Sequence, residues 1–109
     1  MAKYVLVETK NPLDGGRWAF DLGRQLRELD HDVTIYLLQD GVFSARRRFK
    51  AGEELVHQAA GHGVRVLADQ VSLRQRGVVA DRVAKDVGVS EMSELVDLLM
   101  DRSDKAIWH

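Results

Sequence analysis

The 109-residue chain contains no cysteine. That absence excludes disulfides, thiolate-bound zinc or iron–sulfur centres, and every reaction that needs a protein thiol. Proline occurs once, at Pro12, and aromatic residues make up only 6% of the chain. Neither sign of charge dominates: 16 Lys and Arg stand against 17 Asp and Glu, for a net charge of −1. The balance removes any general pull toward nucleic acid or an anionic membrane. Long apolar runs are missing as well. Tyr4-Val5-Leu6-Val7 is too short for a signal-peptide core or a bilayer span, and Asp97 and Asp101 interrupt the cluster around Leu95 to Met100. The expectation is a soluble, cytoplasmic protein with no membrane or nucleic-acid partner and no cofactor.

What is present is ordinary globular material. Hydrophobic residues are 45% and charged residues 30%, which argues against disorder. The length suits a single domain over residues 1–109, able to bury roughly two thirds of its unfolded surface. Two periods alternate along it. Lys3 to Thr9, Val33 to Leu38, Val64 to Ala68 and Lys105 to Trp108 read as buried strands, with Val87-Gly88-Val89 as a short edge strand. Trp18, Leu22, Leu26 and Leu29 fall in one sector of a helix, which leaves Phe20 on the far side with Arg24 and Arg27. Val42 to Phe49 reads as a short helix, Ala51 to Gly61 as an amphipathic one with Leu55, Val56 and Ala59 inward, and Gln70 to Arg76 as a helix stopped by Gly77. Met92, Leu95, Val96 and Leu99 recur at helical spacing, with Ser90 or Ser93 as the cap. Alternating strands and helices indicate an α/β domain with a parallel sheet. Val5, Val7, Ile35, Leu37, Val66 and Ile107 are the expected core of that sheet.

Ligands of such sheets sit at the carboxyl ends of the strands. The residues arriving there are Thr9 to Gly16, Gln39 to Val42, Asp69 to Ser72, and His109. Asp14, Gly15 and Gly16 follow a strand and open a helix, where backbone N–H groups can approach an anion. Neither a dinucleotide fingerprint nor a Walker lysine accompanies them, and a plain loop with a helix cap is the better reading. Asp69 and Ser72 pair as acid and hydroxyl, or Asp69 simply caps the helix that follows, on the N–H groups near Val71 and Ser72. Asp40, Gly41, Arg74 and Arg76 complete the candidate ligand-binding set. Arg46-Arg47-Arg48 precede Glu53 and Glu54, as a solvated or salt-bridged face would. His57 and His62 diverge by about 140° around a helix, so no metal site is expected. Phe20, with Val42, Phe43 and Phe49, is the candidate interface.

Val64-Arg65-Val66-Leu67-Ala68-Asp69-Gln70-Val71-Ser72-Leu73-Arg74-Gln75-Arg76-Gly77-Val78 resembles the signature of the DsrE/TusD-like sulfur-relay family. Gln39-Asp40-Gly41-Val42 resembles its second-strand turn, and Ser103-Asp104-Lys105-Ala106-Ile107-Trp108 its terminal strand. The likeness spans nearly the whole chain. It implies a three-layer α/β/α domain with a five-stranded parallel sheet in the order 4-3-2-1-5, trimers or hexamers, and sulfur-carrier or DsrE-like partner proteins. In that family a cysteine after the third strand carries a persulfide. By the spacing to Gly77, Asp69 stands in its place. A carboxylate cannot form a persulfide, and its charge repels an anionic sulfur group. The resemblance therefore implies an accessory or binding subunit of a sulfur relay that is no sulfurtransferase itself. The alternative is a small-molecule-binding protein or enzyme with a pocket around Asp69 and the Gly15-Gly16 loop.

Overall fold

The computed structural model describes residues 1–109. Five strands, β1 (Lys3–Glu8), β2 (Asp32–Leu37), β3 (Arg65–Asp69), β4 (Val87–Ser90) and β5 (Lys105–Trp108), form one sheet in the order β4-β3-β2-β1-β5. Every neighbouring pair is parallel. Four helices connect them: α1 (Trp18–Glu28), α2 (Lys50–Gly61), α3 (Gln70–Gln75) and α4 (Met92–Met100). Two 3-10 turns, Gln39–Ala45 and Ala80–Arg82, complete the chain. The expected three-layer fold and strand order are both present.

Strand alternation splits the apolar residues between two cores. Leu6, Val33, Ile35, Leu37, Val66 and Ala68 face α1 and α2, while Val5, Val7, Tyr36 and Leu67 face Leu95 and Leu98 of α4. Both faces of the sheet are therefore covered, which is why its strands read as continuous apolar runs. Of the six residues expected in the sheet's core, Val5, Val7, Ile35, Leu37 and Val66 are buried. Ile107 is only half-buried, because β5 is an edge strand paired on one side alone.

Leu55, Val56 and Ala59 of α2 are buried as expected, while the phases of α1 and α4 are turned from the hydropathy reading. The fully buried line of α1 is Ala19, Phe20 and Gly23; Trp18, Leu22 and Leu26 pack half-buried against the same core, and Leu29 is exposed. Gly23 lets the helix approach the sheet: a Cβ there would stand 3.3 Å from Ile35 Cδ1. The large apolar side chains flank the buried line, and the small residues Ala19 and Gly23 make the closest approach to the sheet. Phe20 is consequently no outlier. It is 5% exposed and belongs to the same core as Leu55 and Ala59 of α2. Val42 is also fully buried in that core, and Phe43 and Phe49 are half-buried. On α4 the buried pair is Leu95 and Leu98, and Met92 and Val96 are exposed. No other helix contributes to that core, so nothing packs on the side where Met92 and Val96 lie.

Local boundaries shift for similar reasons. The segment expected as a helix from Val42 to Phe49 is instead the 3-10 turn from Gln39, after which Arg46 bridges Val83. Gly41 explains the displacement: a Cβ there would collide with the carbonyl oxygen of Glu8, so the turn lies directly against the end of β1. Neither Ser90 nor Ser93 is the N-cap of α4. That position is Glu91, and the Ser90 hydroxyl donates instead to Glu94 Oε1 at 2.6 Å. Gly77, by contrast, ends α3 as expected, with φ of 69°.

Leu37 is fully enclosed between the sheet and its helices. Leu37→Ala should lower the unfolding free energy by about 2–5 kcal/mol, read by urea denaturation, with the fold retained. A loss under about 1 kcal/mol would contradict this packing.

Candidate functional site

The carboxyl edge of the sheet gathers the candidate residues into two separate groups. The first lies at the ends of β2 and β3. Asp69 is the last residue of β3 and the N-cap of α3, and its Oδ2 accepts from Ser72 N at 2.9 Å and Ser72 Oγ at 2.8 Å. Ser72 Oγ in turn accepts from the backbone N–H of Gln39 at 2.9 Å. Arg76 ties the group to the 3-10 turn, donating from Nε to Asp40 Oδ1 at 2.9 Å and from Nη1 to the Ser72 carbonyl at 3.3 Å. Asp40, Asp69, Ser72 and Arg76 thus form one network, with Gly41 beside it. Arg74 stays outside, exposed at the rim of an apolar groove with Gln70, Val79 and Val89.

Asp69 is 2% exposed, and its Oδ1 is buried without a hydrogen-bond partner. Its carboxylate is turned inward onto its own helix. Tyr36 lies on the same face of the sheet, and its hydroxyl donates to the Glu91 carbonyl at 3.2 Å. Burial raises the Tyr36 phenol above its ordinary value, and the negative charges of Asp69 and Glu94 add to the rise against a lowering from Ser90.

The second group lies where the strand order reverses. The chain steps from β1 through β2 and β3 to β4, then returns over the opposite face through α4 to place β5 on the other side of β1. The reversal falls at the carboxyl ends of β1 and β5, which stay hydrogen-bonded through His109 N to the Val7 carbonyl at 2.8 Å and Thr9 N to the His109 carbonyl at 3.0 Å, on the sheet edge where open α/β sheets characteristically bind ligands. Glu8 ends β1 there and is 0% exposed. A carboxylate buried so completely is costly unless its oxygens are hydrogen-bonded. Oε1 accepts from Ala19 N at 3.2 Å and Oε2 from Lys10 N at 3.2 Å. His109 Nδ1 lies 3.0 Å from Oε1 and 2.9 Å from Oε2. The His109 ring stacks on Trp18, with centroids 4.6 Å apart and planes at 29°.

Among the sequence candidates, His109 lies in this group, and the Asp14-Gly15-Gly16 loop leads into α1, whose Ala19 N–H meets Glu8. Asp14 and Gly15 are exposed, and Gly15 takes φ of 90°. The N–H groups at this helix entry are used internally: Gly16 N donates to Asn11 O, Trp18 N to Gly15 O, and Ala19 N to Glu8. The protein's own carboxylate therefore stands where the loop would otherwise offer an anion site. Sequence reading missed Glu8. The available signal was a lone acid closing a strand otherwise read as apolar. The other histidines are spread apart. His31 Nδ1 accepts from Ala2 N at 3.0 Å, His57 lies 3.4 Å from Asp86, and His62 pairs with the Gln58 carbonyl.

The Tyr36 environment gives a pH dependence with a definite sign. Below the ordinary tyrosine value of about 10 the phenol is protonated in both states. Above it the unfolded chain ionises while the folded one resists, so stability falls as pH rises through the folded value. Tyr36→Phe should cost about 1 kcal/mol near pH 8 through the lost hydrogen bond. It should also flatten the decline in melting temperature between about pH 9 and pH 11. An unchanged alkaline slope would refute the assignment.

Three comparisons with known proteins agree with this architecture. The profile of the DsrE/DsrF-like family matches residues 2–108. Protein TusB of Pectobacterium parmentieri is 26% identical over 88 residues, which covers 81% of this chain and 87% of that protein. The crystal structure of the ychN protein from E. coli superposes with a TM-score of 0.89 at 20% identity over the whole of both chains. MTH1491 from Methanobacterium thermoautotrophicum, a protein of unknown function, does so with a TM-score of 0.79 at 22% identity, again over the whole of both. At those identities the two structures speak for the fold. The match over residues 2–108, joined to the β4-β3-β2-β1-β5 sheet, places this cysteine-free chain in the DsrE/DsrF-like family.

Proposed function

We propose that the protein is an accessory or binding subunit of an intracellular sulfur relay and carries no persulfide itself. The observation that carries this reading is Asp69. It occupies the position that the sequence resemblance gives to the family's sulfur-bearing cysteine. It is 2% exposed, and its carboxylate is bonded to Ser72 within its own helix. The residue is built as a cap, and the chain has no thiol to take over the chemistry. The likeness to Protein TusB supports the relay context.

The rival reading needs one pocket joining Asp69 to the Gly15-Gly16 loop. Asp69 ends β3 and the loop follows β1, two strands away in the sheet. That separation is about 10 Å. The Arg76 guanidinium is engaged with Asp40 and Ser72.

The subunit is proposed to act in an oligomer, a trimer or a hexamer, with sulfur-carrier or DsrE-like partners. Met92, Val96 and Met100 are exposed at four-residue intervals on α4, and Trp108 of β5 is 58% exposed. Trp108 pairs in register with Val7, which faces α4. These side chains give one face of the protein an apolar character suited to association. Phe20 and Val42 are spent in the chain's own core.

Three measurements test the reading. Asp69→Asn should change stability by no more than about 1 kcal/mol, since Asn also caps. Added to a cysteine-bearing DsrE-like protein and its sulfur carrier, this chain should form a complex and speed transfer between them, and Asp69→Asn should do so equally. Absence of both complex and acceleration would overturn the proposal. A monomer mass by light scattering at micromolar concentration would remove the homo-oligomer.

A further inference from the structure

The geometry points to a built-in acid–base dyad, Glu8 with His109, that accepts the proton of a sulfhydryl presented to the exposed edge of the His109 ring at the carboxyl ends of β1 and β5. The sulfhydryl is inferred to belong to a partner protein, and that part rests on the relay reading above. The dyad itself rests on the structure.

The two ring nitrogens of His109 have different surroundings. Nδ1 lies within 3.0 Å of both Glu8 oxygens, so it is the nitrogen that carries the proton and donates to the carboxylate. Nε2 is then the lone-pair nitrogen. It has no partner within the chain, nor is it among the buried polar atoms left unpaired. The imidazole side chain keeps 26% of its surface exposed, so Nε2 is open to an incoming group. A carboxylate behind an imidazole fixes the tautomer and stabilises the imidazolium formed when Nε2 takes a proton.

The surroundings select the ligand. Glu8 already consumes the Ala19 and Lys10 N–H groups that would hold an anion, and its charge opposes one. Phosphate and carboxylate ligands are therefore disfavoured, and a neutral proton donor fits. Trp18 stacks beside the ring, and an aromatic face is a favourable neighbour for sulfur. An imidazole also takes a proton from a thiol near neutral pH far more readily than from an alcohol. In the step, the S–H bond breaks, the proton moves to Nε2, and the electron pair stays on sulfur. The Glu8 oxygens, 2.9 and 3.0 Å from Nδ1, balance the imidazolium. No oxidant or reductant enters.

The position is also separate from Asp69. β5 lies three strands from β3, about 14 Å away. A partner's thiol activated here would thus not occupy the closed site at the end of β3.

The absence of cysteine makes the test clean, because one introduced thiol is the only thiol in the protein. Trp18→Cys places it beside His109. Its alkylation by iodoacetamide at pH 7 should be about tenfold faster than in the double variant Trp18→Cys, His109→Gln, reflecting a depressed thiol pKa. Equal rates in the two proteins, with the His109 proton still on Nδ1 in the Trp18→Cys variant by nitrogen-15 spectra, would overturn the proposal. The wild-type protein supplies a second readout that does not depend on the variants folding. Nitrogen-15 spectra should show the His109 proton on Nδ1, and diethyl pyrocarbonate should modify Nε2. A proton on Nε2, or a ring that resists the reagent, would make His109 a structural latch only. Neither readout involves a relay partner, so failure of the accessory function leaves these results standing, and the converse holds as well.

Discussion

The structure depends on β1 being enclosed from every side. It pairs with β2 on one edge and β5 on the other, and its apolar residues feed both cores in alternation. The last residue, Glu8, is enclosed with them. Its carbonyl accepts from Leu38 N at 3.0 Å, and the 3-10 turn at Gly41 rests against it. Its carboxylate meets α1 through Ala19 and β5 through His109. Elements from both ends of the chain therefore converge on one buried acid, and a carboxylate there is tolerable only while all of them are in place.

That convergence explains why the carboxyl edge is divided. Toward β2 and β3, the polar residues engage one another, with only Asp69 Oδ1 among them buried and unpaired: Asp69 caps α3, Ser72 receives Gln39, and Arg76 holds Asp40. Toward β1 and β5, both Glu8 oxygens are paired, and the outer edge of His109 is left free. The first arrangement stabilises a turn and a short helix. The second leaves a nitrogen lone pair at the reversal of strand order, where the two crossover directions part. Within one family fold, a closed position and an open one thus sit on the same sheet edge.

The exposed apolar surface proposed for association follows from the same layering. α1 and α2 share one face of the sheet and bury Phe20 between them, whereas α4 faces the other side alone. Met92, Val96, Met100 and Trp108 are left uncovered as a result. Hydropathy points to Phe20 of α1 as the contact, but Phe20 is 5% exposed. The lone helix supplies the exposed apolar surface instead.

By itself the sequence determined the class of the fold. The strands have unbroken apolar runs because both sheet faces are covered, and Gly63 and Gly77 mark helix ends through positive φ. It also determined what chemistry is barred, since a chain without cysteine has no thiol in any conformation. Asp69 as a cap was legible too, because an acid three residues before Ser72 at a strand end is a local pattern. Only the tertiary structure decided the rest. The phase of α1 turned on Gly23 meeting Ile35, a contact no periodicity reports. The Glu8–His109 pair is separated by 101 residues. It exists because β5 returns to the side of β1, and pairing across that distance is a property of strand order that no local pattern in the sequence encodes.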